Sequence, residues 1–209
     1  MLRDPVTVFF DIDTQLDFLV PSGALYVPRA ERLIPTVARL NRFAASRGFP
    51  VVSTTDAHSE SDPEFASWPP HCIAGTLGQR KPEATLLERR AAIPNRAGVF
   101  SITGLDQIVL EKQTVDLFDT ETIGPLLAHF EADRYVVYGV VTEVCVLRAA
   151  RGLLATGKPV AVVEDAIECL TAAGSRQALE ELRSLGAAIA TVASVTVPAP
   201  WHAFSSRDR

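Results

Sequence analysis

The chain has 209 residues, 47% of them hydrophobic, and a formal net charge of −5 with a pI near 5.4. This length suits one domain with a sizeable core, which we place at residues 1–209. The acidic balance argues against nucleic acid or an anionic membrane as a partner. No apolar run approaches the roughly 18–20 residues that span a bilayer. Three cysteines without a Cys-x-x-Cys pair argue against a disulfide framework, and the N-terminus lacks a signal-peptide pattern, so we expect a cytoplasmic protein.

Strand-like and helix-like stretches alternate along the chain. Strands are predicted at Val6–Ile12, Pro50–Thr54, Gln107–Glu111, Arg134–Tyr138, Pro159–Val163 and Ala188–Val192, and helices at Ala30–Arg47, Asp119–Ala132, Val144–Thr156 and Ala173–Leu185. Near-continuous apolar strands that alternate with helices indicate the α/β class, with a mostly parallel six-stranded sheet and helices on both faces. Segment 56–101 is rich in proline, serine and charge, and a long insert of this kind is often functional. Active sites in such sheets form beyond the carboxyl ends of the strands.

The first predicted strand ends in two aspartates, Asp11 and Asp13. Because they are two residues apart, we expect them to point to the same face of the strand. A carboxylate among bulky apolar neighbours should be partly desolvated, which raises its pKa towards the range of a proton shuttle. Asp13 is the candidate for that role, whereas Asp17 fits a turn or capping residue.

The next two strand ends also carry polar residues. Asp56 and His58 follow the second strand, and His71 follows a stiff Trp-Pro-Pro stretch that begins at Trp68. Two histidines and a carboxylate form a plausible facial set for Fe, Mn or Zn, although loop histidines are usually only solvated. Lys112 ends the third strand and can face the same cleft, although a solvated strand-end lysine is the commoner case.

Cys145 lies where the fourth predicted strand turns into a helix. The first turn of a helix has unpaired N–H groups and a dipole that favours anions. Such a cysteine tends towards the thiolate, which is the form that attacks carbonyl carbons. On this turn alone, a small buried and unreactive cysteine remains the alternative.

With Asp13, Lys112 and Cys145 at three strand ends in this order, the sequence resembles the cysteine amidohydrolases of the isochorismatase-like superfamily, and most of all the nicotinamidases. The shared patterns are Asp-x-Gln-x-Asp-Phe, Asp-x-His, Trp-Pro-x-His-Cys, Gly-Thr-x-Gly and Gly-Val-x-Thr-[Asp/Glu]-x-Cys-Val, which begin here at Asp13, Asp56, Trp68, Gly75 and Gly139. The resemblance runs from about Val6 to Val195, which is nearly the whole chain.

The resemblance implies an amidohydrolase that cleaves a small carboxamide through a cysteine thioester, with nicotinamide going to nicotinate and ammonia as the leading case. It implies Cys145 as the nucleophile, Asp13 as the acid and base, and Lys112 as the cation that holds their charge pair. The backbone N–H groups of Val141 and Cys145 would form the oxyanion hole, beside a cis peptide between Val140 and Val141. A small-molecule amide partner and a homo-oligomer are expected.

The resemblance also implies a divalent transition metal (Zn, Fe or Mn) bound by Asp56, His58 and His71, so that segment 56–101 becomes the active-site and metal-binding insert. Phe18 and Trp68 would flank the substrate ring. Two departures stand out. Many relatives have a further histidine where this chain has Glu64, which is therefore a candidate ligand, and an aromatic-Ser-x-Phe stretch is replaced by Val115–Thr120, so the substrate wall differs.

Three alternatives stay open at this point. An amidohydrolase of N-carbamoyl or ureido compounds would keep Asp13, Lys112 and Cys145 but typically lacks the metal residues. An isochorismate-type hydrolase normally lacks the nucleophilic cysteine. A catalytically silent α/β interaction module would need none of these three residues.

Overall fold

The framework of the computed structural model, which describes residues 5–196, is a seven-stranded sheet. Its strands are β1 (Thr7–Ile12), β2 (Val51–Asp56), β3 (Arg90–Ile93), β4 (Gln107–Lys112), β5 (Arg134–Gly139), β6 (Val160–Ile167) and β7 (Ala188–Ala190). They lie in the order β3-β4-β2-β1-β5-β6-β7, and every neighbouring pair is parallel. Residues 1–4 and 197–209 of the predicted domain lie outside the described part.

Helices cover both faces of the sheet, as predicted. They are α1 (Leu16–Leu19), α2 (Leu33–Ser46), α3 (Ile123–Phe130), α4 (Leu147–Ala155), α5 (Ala172–Ser184) and α6 (Val192–Val195). Helices α3, α4 and α5 contribute to the core on one face, and α1, α2 and α6 to the core on the other. Among the described residues, no helix has the length and apolar character needed to cross a membrane.

Strand β1 shows why its sequence is almost continuously apolar. All six of its residues are buried, with Val8, Phe10 and Ile12 in one core and Phe9 in the other. Successive side chains of a strand point to opposite faces, so a strand covered on both sides needs apolar residues at adjacent positions.

The prediction of six strands is wrong, because β3 lies inside the segment that was expected to be an insert. Its four residues form an edge strand that pairs with β4, and two of them are exposed, so the short segment has no buried apolar run. The helix predicted from Asp119 begins at Ile123, because Leu117–Asp119 forms a 3₁₀ turn. The helix predicted from Val144 begins at Leu147, after a π-helical turn over Thr142–Val146.

The sheet order places four strand ends side by side. Strands β2 and β4 lie on one side of β1, and β5, β6 and β7 lie on the other. Ligands of open α/β sheets bind at such a reversal of strand order, beyond the carboxyl ends. Here Ile12 lies beside Gly139 and Asp56 beside Lys112. Gly139 has φ 121°, and a Cβ there would lie 2.1 Å from the Ile12 carbonyl oxygen, so this close approach of β1 and β5 requires glycine.

Candidate active site

The three predicted catalytic side chains meet in one buried cluster. Lys112 Nζ lies 2.9 Å from Asp13 Oδ2 and 4.0 Å from Cys145 Sγ. The same ammonium forms an ion pair with Asp56 and donates to the Thr114 carbonyl oxygen at 3.0 Å. Asp13 and Lys112 are each 1% exposed and Cys145 is 7% exposed. The solvated-lysine alternative for Lys112 is therefore excluded.

Asp13 is held by its backbone as well as by its side chain. It follows the last residue of β1 and has φ 48°, so the alternation of the strand stops before it. Its N–H donates to Thr54 Oγ1 at 3.0 Å, and this hydroxyl donates to Asp13 Oδ1 at 2.6 Å. Asp11, two residues earlier, contacts Lys81 instead, at 3.3 Å. The two carboxylates thus belong to different clusters, which their spacing did not predict.

The charges of the cluster decide its resting protonation state. Burial alone would raise the pKa of the Asp13 carboxyl, but the charge of Lys112 and the hydrogen bond from Thr54 outweigh it, so this pKa lies below its usual value. The prediction of a raised pKa was wrong because it considered only the apolar neighbours. The pKa of Lys112 lies well above its usual value, because Asp13 and Asp56 outweigh the effect of burial.

The prediction that Cys145 tends towards the thiolate is also wrong. Burial raises the pKa of the Cys145 thiol well above its usual value, and the opposing effect of Lys112 does not cancel this. The Asp13 carboxylate also raises the pKa of this thiol, and the presence of the thiol lowers the pKa of Asp13. At rest the pair is therefore a thiol and a carboxylate, and Asp13 is placed to accept the proton as the sulfur attacks.

Two hydrogen bonds from Thr142 to the segment after β6 hold the turn that carries Cys145. The N–H and the hydroxyl of Thr142 both donate to the Glu168 carbonyl oxygen, each at 2.9 Å. The peptide between Val140 and Val141 is cis, as the resemblance implied. The Val141 N–H makes no hydrogen bond within the described residues, and Val141 and Cys145 both line the pocket. Their role as an oxyanion hole stays a prediction.

A second group of donors faces the same pocket. The oxygen Asp56 Oδ2 lies 3.9 Å from His58 Nε2 and 3.9 Å from His71 Nε2. The oxygen Glu64 Oε1 lies 4.0 Å and 3.9 Å from the same two nitrogens. Asp56, His58 and His71 are buried and their donor atoms lie within 4.8 Å of one another. The structure thus brings Asp56, His58 and His71 together with Glu64 beside them, and the role of Glu64 as a ligand stays a prediction.

Two contacts orient the imidazole rings. His58 Nδ1 lies 3.1 Å from Asp62 Oδ2, and His71 Nδ1 lies 2.7 Å from the Pro69 carbonyl oxygen. Metal-binding histidines usually donate their second N–H to such oxygens, which leaves Nε2 as the ligand atom. Asp62 was not among the residues predicted from the sequence, although its position four residues after His58 could have indicated it.

This donor set fits a divalent transition metal. His58 Nε2, like Nδ1, is buried and makes no hydrogen bond within the described residues, so Nε2 is free to bind a ligand. Burial lowers the pKa of His71 and so favours the neutral imidazole that binds metal. Burial raises the pKa of Asp56 to about 7 and also raises that of Glu64, and a cation between these carboxylates would stabilise their charged forms. Two imidazoles with two carboxylates suit Zn, Fe or Mn.

The pocket between the two groups encloses about 400 Å³, part of it open to solvent. Phe18 and Trp68 both line it, as predicted, and the Phe18 ring centre lies 5.3 Å from that of His71. The ring centre of Phe65, a residue not predicted from the sequence, lies 5.3 Å from that of His58 and 5.8 Å from that of His71.

The remaining walls of the pocket are mostly aliphatic. From the divergent stretch Val115–Thr120, only Val115 lines the pocket, together with Leu25, Val27, Val144 and Leu170. The acidic lining residues are Asp13, Asp56 and Glu64, and His71 also lines the pocket. Lys112 Nζ lies 4.0 Å from the sulfur of the lining residue Cys145.

Comparison with known proteins decides the family. The sequence matches the isochorismatase domain over residues 7–194. The chain belongs to the isochorismatase family. Its resemblance to isochorismatase-like hydrolases is thereby confirmed, and it is an enzyme of that class.

Amidases of several names are similar to this isochorismatase-family chain in sequence or in structure. The nicotinamidase of Escherichia coli (strain K12) is 27% identical, over 87% of this chain and 93% of that protein. The pyrazinamidase of Pyrococcus horikoshii, solved in complex with zinc, is 27% identical and superimposes with a TM-score of 0.75, over 90% of this chain and 99% of that one. The N-carbamoylsarcosine amidase of Thermoplasma acidophilum, 22% identical, covers 90% of this chain and 96% of its own with a TM-score of 0.71, which shows the shared fold alone.

Proposed function

We propose that this protein is an amidase that hydrolyses a small neutral heteroaromatic carboxamide, with nicotinamide as the leading case, through a thioester on Cys145. The observation that carries this proposal is the contact between the Cys145 thiol, the Asp13 carboxylate and the Lys112 ammonium in one buried cluster. The names of the E. coli and P. horikoshii relatives support the same chemistry.

The reaction follows from this arrangement. Asp13 accepts the thiol proton while the sulfur of Cys145 attacks the amide carbon. The N–H groups of Val141 and Cys145 stabilise the developing oxyanion. The positive charge of Lys112 offsets the negative charges of Asp13 and of the attacking sulfur. Asp13 then returns the proton to the leaving nitrogen, which departs as ammonia. It next takes a proton from water, whose oxygen attacks the thioester carbon, so that the acid is released and the thiol restored.

The four donors Asp56, His58, Glu64 and His71 would hold the metal, and Asp56 also forms an ion pair with Lys112. When bound, a Zn, Fe or Mn ion would supply a coordination position for a soft nitrogen of the substrate, directly or through water. The rings of Phe18 and Trp68 would then flank a flat substrate. The zinc complex of the P. horikoshii pyrazinamidase supports this assignment.

The site residues favour this reaction over the two related alternatives. A metal-independent hydrolase of N-carbamoyl compounds does not need the buried metal-ligand set of Asp56, His58 and His71. An isochorismate-type hydrolase does not need the thiol of Cys145 beside Lys112. A catalytically silent interaction module would not need a buried acid and lysine beside a thiol. Burial of these charges costs free energy, which argues against that alternative.

Ammonia release from a panel of amides tests the proposal. Purified protein loaded with zinc would be given nicotinamide, benzamide and a linear N-carbamoyl amino acid, with Cys145→Ala as the control for the nucleophile. Nicotinamide should exceed benzamide in kcat/KM by at least about tenfold, which corresponds to roughly 1.4 kcal/mol, because benzamide leaves the nitrogen-binding position unpaired. Equal rates on the two rings, or a preference for the N-carbamoyl compound, would refute the substrate class.

A further inference from the structure

A second buried ion pair lies beside the active site and has no part in the chemistry described above. Lys81 Nζ lies 3.3 Å from Asp11 Oδ2, and the two side chains are 1% and 0% exposed. Within the described residues, neither of them forms a hydrogen bond or an ion pair with Asp13, Lys112 or Cys145. Burial of two charges costs several kcal/mol per ion unless further hydrogen bonds compensate it, so such a pair calls for a structural reason.

Four hydrogen bonds hold this pair. Thr14 Oγ1 donates to Asp11 Oδ1 at 2.6 Å, and Lys81 Nζ donates to the same hydroxyl at 2.9 Å. Ser53 Oγ and Asn41 Nδ2 donate to Asp11 Oδ2 at 2.8 Å and 3.4 Å. The pair therefore joins β1, β2, α2 and the segment that follows the metal ligands.

Two of these partners are direct neighbours of the groups that hold the catalytic carboxylate. Thr14 follows Asp13, and Ser53 precedes Thr54, whose hydroxyl donates to Asp13 Oδ1 at 2.6 Å. Asp13 also has a left-handed φ of 48°, which is uncommon for a residue with a side chain, although aspartate adopts it more often than most. The Asp11 carboxylate thus anchors the chain on both sides of the contact between Asp13 and Thr54.

We propose that the Asp11–Lys81 pair is a positioning element that holds the Asp13 carboxylate in line with the Cys145 thiol. The inference rests on the proposed function, because its effect is measured as amide hydrolysis. Lys81 lies in the segment 56–101, and its neighbour Arg80 also contacts the chain after Asp13. The carbonyl oxygen of Arg80 accepts the Leu16 N–H at 2.8 Å. A displacement of a reacting group by about 1 Å can lower a rate by about a hundredfold.

The test is the double substitution Asp11→Leu with Lys81→Met, which removes both charges and keeps the branched and the unbranched shape of the two side chains. Replacement of a whole buried pair by apolar residues is often neutral for stability, whereas removal of one partner is not. We expect a folded protein in which kcat for the amide falls by about tenfold or more while KM changes little, because the substrate-binding walls are untouched. A pair that serves stability alone would leave kcat at the wild-type value.

Tyr138→Phe is the matched control. The Tyr138 hydroxyl donates to Asn41 Oδ1 at 2.5 Å, at the outer end of the same network, so this variant should lower the melting temperature and keep the wild-type kcat. If Tyr138→Phe lowers kcat as much as the double substitution, the effect is a general loss of rigidity and the proposal is wrong.

Thr14→Val is the second variant, because it removes the hydroxyl that both members of the pair contact. If the double variant does not fold, a lowered kcat at unchanged KM in Thr14→Val supports the proposal, and a wild-type kcat overturns it. A folded double variant with wild-type kcat also overturns it. A wild-type enzyme that hydrolyses no amide would instead refute the proposed function, and this inference with it.

Discussion

Replacement of Lys112 by methionine should unbalance the charge of the active site. The lysine is 1% exposed, lies 2.9 Å from Asp13 and forms an ion pair with Asp56. Methionine preserves much of the aliphatic stem and removes the charge. Loss of one partner from a buried ion pair costs about 3–5 kcal/mol, because the remaining charge is uncompensated. We expect the free energy of unfolding of metal-free protein to fall by about this amount at pH 8.

The pH dependence of this loss is the sharper part of the prediction. In the wild type, the charge of Lys112 outweighs burial and holds the pKa of Asp13 below its usual value, so Asp13 contributes stability that is lost as the pH falls through that pKa. Without Lys112, mainly the Thr54 hydrogen bond still opposes the larger effect of burial, so the folded-state pKa of Asp13 should lie above the unfolded one. The folded variant then binds more protons than the unfolded chain. Its stability relative to the wild type should therefore recover as the pH is lowered from about 8 towards 5.

Urea unfolding followed by circular dichroism at several pH values, with a chelator present, measures this effect. Lys158→Met, at an exposed lysine, is the control and should change stability little at any pH. Turnover of zinc-loaded Lys112→Met should fall by at least about two orders of magnitude. A stability loss below about 1 kcal/mol, or one that is independent of pH, would refute the idea that Lys112 compensates the buried carboxylates.

Three further predictions concern single residues. Cys145→Ala should abolish ammonia release and leave the circular dichroism spectrum unchanged. The control Cys72→Ala, at a fully buried sulfur, should lose on the order of 1 kcal/mol of stability and keep its turnover. Residual turnover in Cys145→Ala would exclude a thioester. Glu64→Ala should retain less zinc after desalting than Glu60→Ala, at an exposed glutamate of the same loop, and equal zinc contents would show that Glu64 is not a ligand. Gly139→Ala should lower the melting temperature or prevent folding. The new Cβ would lie 2.1 Å from the Ile12 carbonyl oxygen of β1, and alanine would have to adopt the φ of 121° of Gly139. A wild-type melting curve would contradict this close approach.

The sequence predicted the parallel sheet because its central strands are apolar on both faces, as β1 shows. It did not predict β3, since a four-residue edge strand with exposed side chains has no buried run that periodicity could detect. The seven-strand count therefore came from the structure, as did the π-helical turn before α4.

The residues predicted for the candidate site lie together in the structure, whereas their ionisation was predicted wrongly. Shared motifs indicate which residue types lie at strand ends, and the structure places Asp13, Lys112 and Cys145 in contact. A pKa depends on which charges and donors the topology brings close, and no motif states that Lys112 and the Thr54 hydroxyl converge on Asp13. Partners in other clusters, such as Lys81 for Asp11, were missed for the same reason.

The topology also sets when during folding the site can exist. In β1, Thr7 pairs with Arg134 of β5, a partner 127 residues later in the chain. Contacts of such long range form slowly, because the chain must lose loop entropy before the strands gain any contact energy. Asp13 and Cys145 follow these two strands, so the base and the nucleophile meet only after the central pair has formed. A substrate-like reagent that needs both groups would therefore label only chains that have completed the middle of the sheet, and would report on folding as well as on catalysis.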